Sequence, residues 1–169
     1  MEICLKQPSI LTQEEFDKIR LLVLEGGETD PNFIEDRLCC SALISFVIEE
    51  KQIIAVAILK VPDPLYRHRI FEQAQSPEIE NMYNYELGYI FVLPDFRGKK
   101  ISSKLCDLVC GTSSLYGTFA TVRQNNNAMR RILEKNHFSI TGTGYLNRKK
   151  TDYLLLYVRH GKGLLCCTS

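Results

Sequence analysis

Residues 85–105 read YELGYIFVLPDFRGKKISSKL. An apolar run ends at Val92, and Pro94, Asp95, Arg97 and Gly98 follow as turn formers. From about Lys100 to Cys110 apolar residues return at helical spacing, with Ile101, Leu105, Leu108 and Val109 as the expected inward stripe. The passage therefore predicts strand, turn and helix. Helix starts usually favour acids, because the macrodipole is positive there. This one begins with Lys99 and Lys100. A basic start suits a bound anion, held by the free backbone N–H groups of the first turn. Gly98 lets the chain bend and approach such a ligand closely.

Working outward, Thr12-Gln13-Glu14-Glu15 has the spacing of a capping box. Phe16, Ile19, Leu22 and Val23 continue it as a helix that Gly26-Gly27 ends. Asp30-Pro31 predicts a second helix running to about Cys40. Residues 3–5, 43–48 and 53–59 read as strands, the last two joined by a hairpin through Glu49-Glu50-Lys51-Gln52. IIAVAIL is apolar throughout, which predicts cover on both faces. Residues 66–75 read as a short helix or ordered loop, 85–92 and 119–122 as strands, and 126–137 as a helix with Met129, Ile132 and Leu133 inward. Residues 138–145 and 153–158 close the series as strands. The expected fold class is α/β of the α+β type: a mixed, mostly antiparallel central sheet of six to seven strands with about four helices. The expected organisation is one domain over residues 1–160 and a tail over 161–169.

Seven cysteines, an odd number with no Cys-x-x-Cys pair, suggest neither a disulfide framework nor a zinc site, and no metal site is expected. Cys106 and Cys110, one turn apart, read as small core residues. Cys166-Cys167-Thr168-Ser169 resembles a prenylation box only formally, since its middle residues are not aliphatic. No apolar run reaches the roughly 20 residues of a membrane span. The start MEICLKQPSI lacks a basic segment leading into an apolar core, so a cytoplasmic protein is expected. Charge is uneven. Residues 1–95 hold 8 Lys and Arg against 17 Asp and Glu, while residues 96–169 hold 13 against 3. That asymmetry points to an anionic partner for the second half, unless folding interleaves the halves.

The stretch 85–105, followed by VRQNNNAMRRILEKNHF at 122–138, resembles the GNAT superfamily of acyl-CoA N-acyltransferases. The likeness in element order covers residues 1 to about 159 and is sharpest over 85–138. The family's turn has Arg or Gln, two residues, Gly, one residue, then Gly or Ala, often with a further Gly after the first Arg. Arg97, Gly98, Lys99 and Ile101 fit. Lys100 stands where the family has Gly, and Ser102 where it has Gly or Ala.

The resemblance implies that the anion is the pyrophosphate of coenzyme A, so acetyl-CoA is the expected acyl donor. Arg97, Gly98, Lys99, Lys100, Ile101 and Ser102 would hold it. It also implies that strand 85–92 splays from its neighbour, with the pantetheine arm bonded by backbone groups near Phe91, Val92 and Leu93. The N–H of Val92 would polarise the thioester carbonyl. Without a bulge, Glu86, Gly88, Ile90 and Val92 would share one face.

Glu86 is a carboxylate inside an apolar strand, which needs a physical reason. Histone-acetylating members place a general base at the matching position, six residues before this valine. The resemblance therefore makes Glu86 the candidate base for an amine; an edge-exposed or salt-bridged Glu is the alternative. Asn126 fits the family's second helix as a cap and a contact to the coenzyme arm, with Glu134, Lys135 and Phe138 also matching. Met129 replaces a small residue, His137 a Gly, and Leu133 the Tyr that many members use as general acid. Tyr89, Tyr145 and His137 are the substitutes the sequence offers.

By resemblance the acceptor is chosen by residues 21–37, 62–82 and 143–152. Glu25, Glu28, Asp30, Glu35 and Asp36 in the first, with Asp63, Glu72, Glu78 and Glu80 in the second, would attract a cationic amine. They read equally as a solvated acidic surface. Arg148, Lys149 and Lys150, with Arg130, Arg131 and Lys135, would instead suit nucleic acid, but no stacking aromatics accompany them and this partner is not favoured. The expected activity is acetyl transfer from acetyl-CoA to a primary amine by direct attack. The alternatives are a tRNA- or protein-directed acyltransferase and a weakly catalytic acyl-CoA-binding module. No membrane partner is expected. The oligomeric state stays open, with a homodimer compatible.

Overall fold

The computed structural model describes residues 1–27 and 31–164. The elements run β1 (Glu2–Lys6), α1 (Gln13–Glu25), α2 (Ile34–Cys39), β2 (Leu43–Glu49), β3 (Gln52–Lys60), α3 (Pro64–Gln73), β4 (Tyr83–Val92), α4 (Ile101–Thr112), β5 (Gly117–Arg123), α5 (Asn127–Lys135), β6 (Ser139–Leu146) and β7 (Tyr153–Arg159). Seven strands form one sheet in the order β1-β2-β3-β4-β5-β7-β6. Pairing is antiparallel for β1–β2, β2–β3, β5–β7 and β6–β7, and parallel for β4–β5. A parallel pair needs a crossover, and α4 supplies it. The mixed, mostly antiparallel sheet agrees with the sequence expectation, with five α-helices among the described residues. Among them no helix is long and apolar enough to cross a membrane.

Contacts divide the chain into two units, Met1–Val61 with Leu87–Thr112, and Pro62–Glu86 with the chain from Ser113 on. In the first, α1 starts as predicted: Glu15 N–H donates to Thr12 Oγ1 and Thr12 N–H to Glu15 Oε2. Lys6 reaches the same carboxylate at 2.7 and 2.9 Å, tying β1 to α1. Ile19, Leu22 and Val23 pack with Ile34, Leu38, Ile44, Phe46, Val56 and Ile58 into one core. Every residue from Ile53 to Leu59 is buried, as a doubly covered strand requires. The β2–β3 hairpin turns through Glu50 and Lys51, both at positive φ (49° and 68°).

Two helix expectations are corrected. Residues 31–33 form a separate 3₁₀ turn, and α2 begins only at Ile34, because Phe33 at φ −119° breaks the helix and supplies no side-chain cap. Asp30, the expected cap, lies outside the described residues, as do Glu28 and the Cys166–Ser169 stretch. On α4, Leu108 is exposed, while Cys106 and Cys110 are buried as their reading as small core residues expected. At about 100° per residue, the arc from Ile101 through Leu105, Val109 and Cys106 to Cys110 spans half the helix, and Leu108 falls at its margin. Burial pushes the Cys106 thiol well above its ordinary pKa, as expected of an inert core cysteine.

The second unit is built on Phe71, Tyr83 and Phe119, whose rings pack in pairs at 5.4 and 5.5 Å. Asp63 caps α3 through the N–H groups of Leu65 and Tyr66. Arg159, buried on β7, donates to the Ser113 carbonyl, Ser113 Oγ and Thr118 Oγ1 and lies over the Phe138 ring.

Candidate active site

In the first unit the quoted stretch folds as strand, 3₁₀ turn (Pro94–Phe96) and helix. Lys100 O accepts the first α4 bond, from Lys104 N–H, so Lys100 is the residue on which the helix starts. The first helical turn carries no acid. Gly98 has φ 79°, and Lys100, at the position where the family's turn pattern has Gly, has φ 59°. The Gly preference thus has a backbone cause: this position is left-handed, and a Cβ costs about 1–2 kcal/mol there. Lys99 and Lys100 are exposed. Arg97 folds back, with Nε donating to Val92 O at 3.1 Å and the guanidinium 5.6 Å from the Phe91 ring centroid. Leu93 is engaged on both sides, its N–H donating to Ile54 O and its carbonyl accepting from Phe96 N–H.

Tyr89 interrupts β4. Its φ is 49°, a left-handed residue inside a strand. Such a bulky residue at positive φ marks a bulge and stored strain. The simple alternation that would place Glu86, Gly88, Ile90 and Val92 on one face is therefore broken between Gly88 and Ile90. Tyr89, Phe91 and Leu93 pack on the α1–α2 core. Lys60 Nζ stands 4.6 Å from the Tyr89 ring centroid, and a Cβ on Gly88 would lie 2.8 Å from Lys60 Cε. Arg37 donates to the Tyr89 hydroxyl at 3.4 Å. Sequence reading missed this bulge, although Gly88, an isolated Gly inside the strand pattern and next to Tyr89, was the signal for it.

In the second unit Glu86 is 4% exposed. Leu87 beside it is buried too, so β4 is covered on both faces at this point. Glu86 stands in register with Phe119, at the last registered pair of β4 and β5. The Tyr66 hydroxyl, from α3, donates to Glu86 Oε1 at 3.1 Å. Sequence reading placed Tyr66 only within the 62–82 segment expected to choose the acceptor; nothing in its spacing relates it to a residue twenty positions on. Tyr145 is buried in the same apolar cluster that Tyr66 packs against.

Asn126 caps α5, its Oδ1 accepting from Met129 N–H at 3.1 Å. Leu133 is fully buried. His137, in place of Gly, has φ 65°, and its N–H and that of Phe138 bond back to Glu134 O and Leu133 O. This is a Schellman ending, so His137 closes a helix. Of the three substitute acids, His137 thus has a structural duty. Arg130 is engaged as well: Nε donates to the Tyr157 hydroxyl and an Nη to Gln124 O, while Tyr157 donates to Glu134.

Four of the nine acidic residues expected to draw in a cation are engaged within the fold. Asp63 caps α3, Glu78 accepts from the Tyr83 hydroxyl and Glu80 pairs with His68 at 2.9 Å. In the 21–37 segment Glu35 lies 3.6 Å from Arg20.

A family model described as the acetyltransferase (GNAT) family matches residues 13–138, and the chain belongs to that family. It is accordingly an acetyltransferase-family enzyme of the acyl-CoA-dependent class. Solved structures agree in fold. An acyl-CoA N-acyltransferase from Pseudomonas aeruginosa superposes with a TM-score of 0.68 at 14% identity, covering 94% of this chain and 98% of its own. Escherichia coli ElaA gives 0.69 at 11%, covering 94% and 99%. Arabidopsis thaliana NAA60, solved with a bisubstrate analogue, gives 0.66 at 15%, covering 96% and 99%. No curated protein sequence matches significantly.

Proposed function

We propose that the protein transfers an acetyl group from acetyl-CoA to a primary amine by direct attack, with Glu86 as general base. The observation that carries this reading is a carboxylate 4% exposed on β4, six residues before Val92, which accepts a hydrogen bond from the Tyr66 hydroxyl. A buried carboxylate is ordinarily a poor choice for stability, and a proton-transfer role gives it a reason. An ammonium must lose a proton before its nitrogen can attack a thioester, and a carboxylate within reach accepts it directly or through water.

On the donor side, Arg97, Gly98, Lys99, Lys100, Ile101 and Ser102 hold the pyrophosphate of the coenzyme. The support is an acid-free helix start, a left-handed turn without side-chain crowding at Gly98, and two exposed lysines. Phe91 and Val92 take the pantetheine arm. Leu93 contributes shape alone, since both its backbone groups are engaged. Asn126 orders the start of α5, and its assignment to the coenzyme arm rests on the family resemblance alone. The thiolate of coenzyme A, with a reference pKa of about 8.5 for a thiol, leaves without a dedicated acid, which suits Leu133 in place of a tyrosine. The acceptor is an amine; the engagement of Asp63, Glu78 and Glu80 within the fold takes three of the nine acidic residues out of the argument for a polycationic one.

Calorimetric titration of acetyl-CoA into the full chain tests the donor half. One binding event is expected, weakened roughly tenfold in Arg97→Ala, the scale of one charge-assisted contact. No binding by a folded protein would contradict the reading.

A further inference from the structure

A carboxylate that takes a proton works only when it is held in one orientation. In the second unit β4 fixes the backbone of Glu86, which stands in register with the fully buried Phe119 of β5. The strand does not fix the plane of the carboxylate, because the terminal torsion of a Glu side chain is broad and roughly two-fold. A directional donor can fix it. The Tyr66 hydroxyl is such a donor, 3.1 Å from Glu86 Oε1.

That hydroxyl is carried by a helix clamped on both sides of it. Asp63 Oδ1 accepts from the N–H groups of Leu65 and Tyr66 at 2.9 and 3.0 Å, so the first turn of α3 is capped at Tyr66 itself. One residue on, Arg67 ties the helix to the entry of β4. One of its Nη atoms donates to Tyr83 O at 3.3 Å and the other to Asn81 Oδ1 at 2.8 Å. A turn later Ile70 and Phe71 are buried, with the Phe71 ring against Tyr83 and Phe119. The Tyr66 ring packs on this same apolar cluster, and the Arg69 guanidinium lies 5.7 Å from its centroid. Helix, ring and strand thus form one frame, in which the place of the hydroxyl follows from the place of β4.

We propose that Tyr66 is a positioning residue for the transfer, its hydroxyl holding the Glu86 carboxylate in the orientation that receives the proton of the amine. This rests on the reading of Glu86 as base. One proton passes from the ammonium nitrogen to Glu86. The freed lone pair attacks the thioester carbon, the C–N bond forms and the C–S bond breaks. The nitrogen loses a second proton and the departing thiolate takes one up, so one proton is released to solvent overall. Tyr66 donates a hydrogen bond throughout and transfers no proton.

The test is a double-mutant cycle on the full chain: the unaltered protein, Tyr66→Phe, Glu86→Gln and the two combined, with Tyr157→Phe as a control. The Tyr157 hydroxyl bonds Arg130 and Glu134, so its loss lowers Tm without touching Glu86. Coenzyme A thiol release is followed well below each Tm with spermidine, kanamycin and a lysine peptide with a blocked N-terminus. Tyr66→Phe is expected to lower kcat roughly tenfold, the scale on which a misplaced catalytic group loses rate, with both KM values unchanged. In the Glu86→Gln background the same substitution has no further effect on kcat, because a residue that acts through another is silent once that other is gone. Tyr157→Phe lowers Tm and leaves kcat alone. An unchanged kcat in Tyr66→Phe, or an equal fold-loss in both backgrounds, overturns the positioning role and leaves Glu86 as base. An unchanged kcat in Glu86→Gln overturns the base and this proposal with it. No turnover by the unaltered chain with any of the three amines overturns the primary-amine reading and this proposal together.

Discussion

The Tyr66 hydroxyl donates to Glu86 Oε1 across 3.1 Å, joining α3 to a buried carboxylate on β4. Hydrogen bonds to charged groups contribute roughly 1.5–3 kcal/mol. Tyr66→Phe is therefore expected to lower unfolding free energy by about that amount in urea titrations. Because Glu86 itself remains, acetyl transfer should fall far less in Tyr66→Phe than in Glu86→Gln. Equal loss in the two variants would mean that the tyrosine, not the carboxylate, handles the proton.

Lys100 and His137 both occupy left-handed positions, at points where the family pattern has Gly. A Cβ at such a position costs about 1–2 kcal/mol. His137→Gly should therefore stabilise the chain by roughly 1 kcal/mol, less the entropy a Gly adds to the unfolded state, with acetyl transfer unchanged. Lys100→Gly should stabilise similarly, and titration with acetyl-CoA then separates strain relief from loss of the ammonium. A destabilised His137→Gly would show that the imidazole makes contacts worth more than the backbone relief.

The hairpin between β2 and β3 turns on Glu50 and Lys51, both at positive φ. Two-residue turns of this kind favour Asn-Gly. Replacing the pair by Asn-Gly should raise stability by about 1 kcal/mol without touching transfer, as read by thermal unfolding.

Glu15 carries a pH prediction. Burial works to raise its pKa, but the bonds from Lys6 and Thr12 together hold it below the ordinary 4.5. A group depressed in the folded state stabilises above its unfolded pKa, and that contribution is lost as pH falls through the folded value. Below about pH 4.5 the chain should thus lose stability that Glu15→Gln, already lacking it at neutral pH, does not lose. Parallel acid-stability curves for the two would contradict the assignment.

The order of strands and helices was legible because the periodicities are strong and the punctuation local: Thr12 and Glu15, Gly26-Gly27, and Pro94 through Gly98 each act within a few residues. Glu86 was legible as an acid in an apolar strand. Its partner Tyr66 was not, since only the packing of α3 brings that hydroxyl to β4; Tyr145 was legible only as a candidate acid. The bulge at Tyr89 was hidden for a different reason: tertiary contacts from Lys60, Arg37 and the α1–α2 core hold a conformation that the residue type does not advertise. The engagement of Asp63, Glu78, Glu80 and Glu35 was not legible, because sequence counts charges and not the partners that occupy them.

The central claim is that Glu86 takes the proton of the attacking amine. The most direct measurement is kcat/KM for acetyl transfer to a primary amine by the full chain and by Glu86→Gln, with acetyl-CoA binding measured alongside. The account predicts a loss of roughly a hundred- to ten-thousand-fold, the usual weight of a general base, with acetyl-CoA affinity and Tm little changed. Transfer by Glu86→Gln at the rate of the unaltered chain would contradict it.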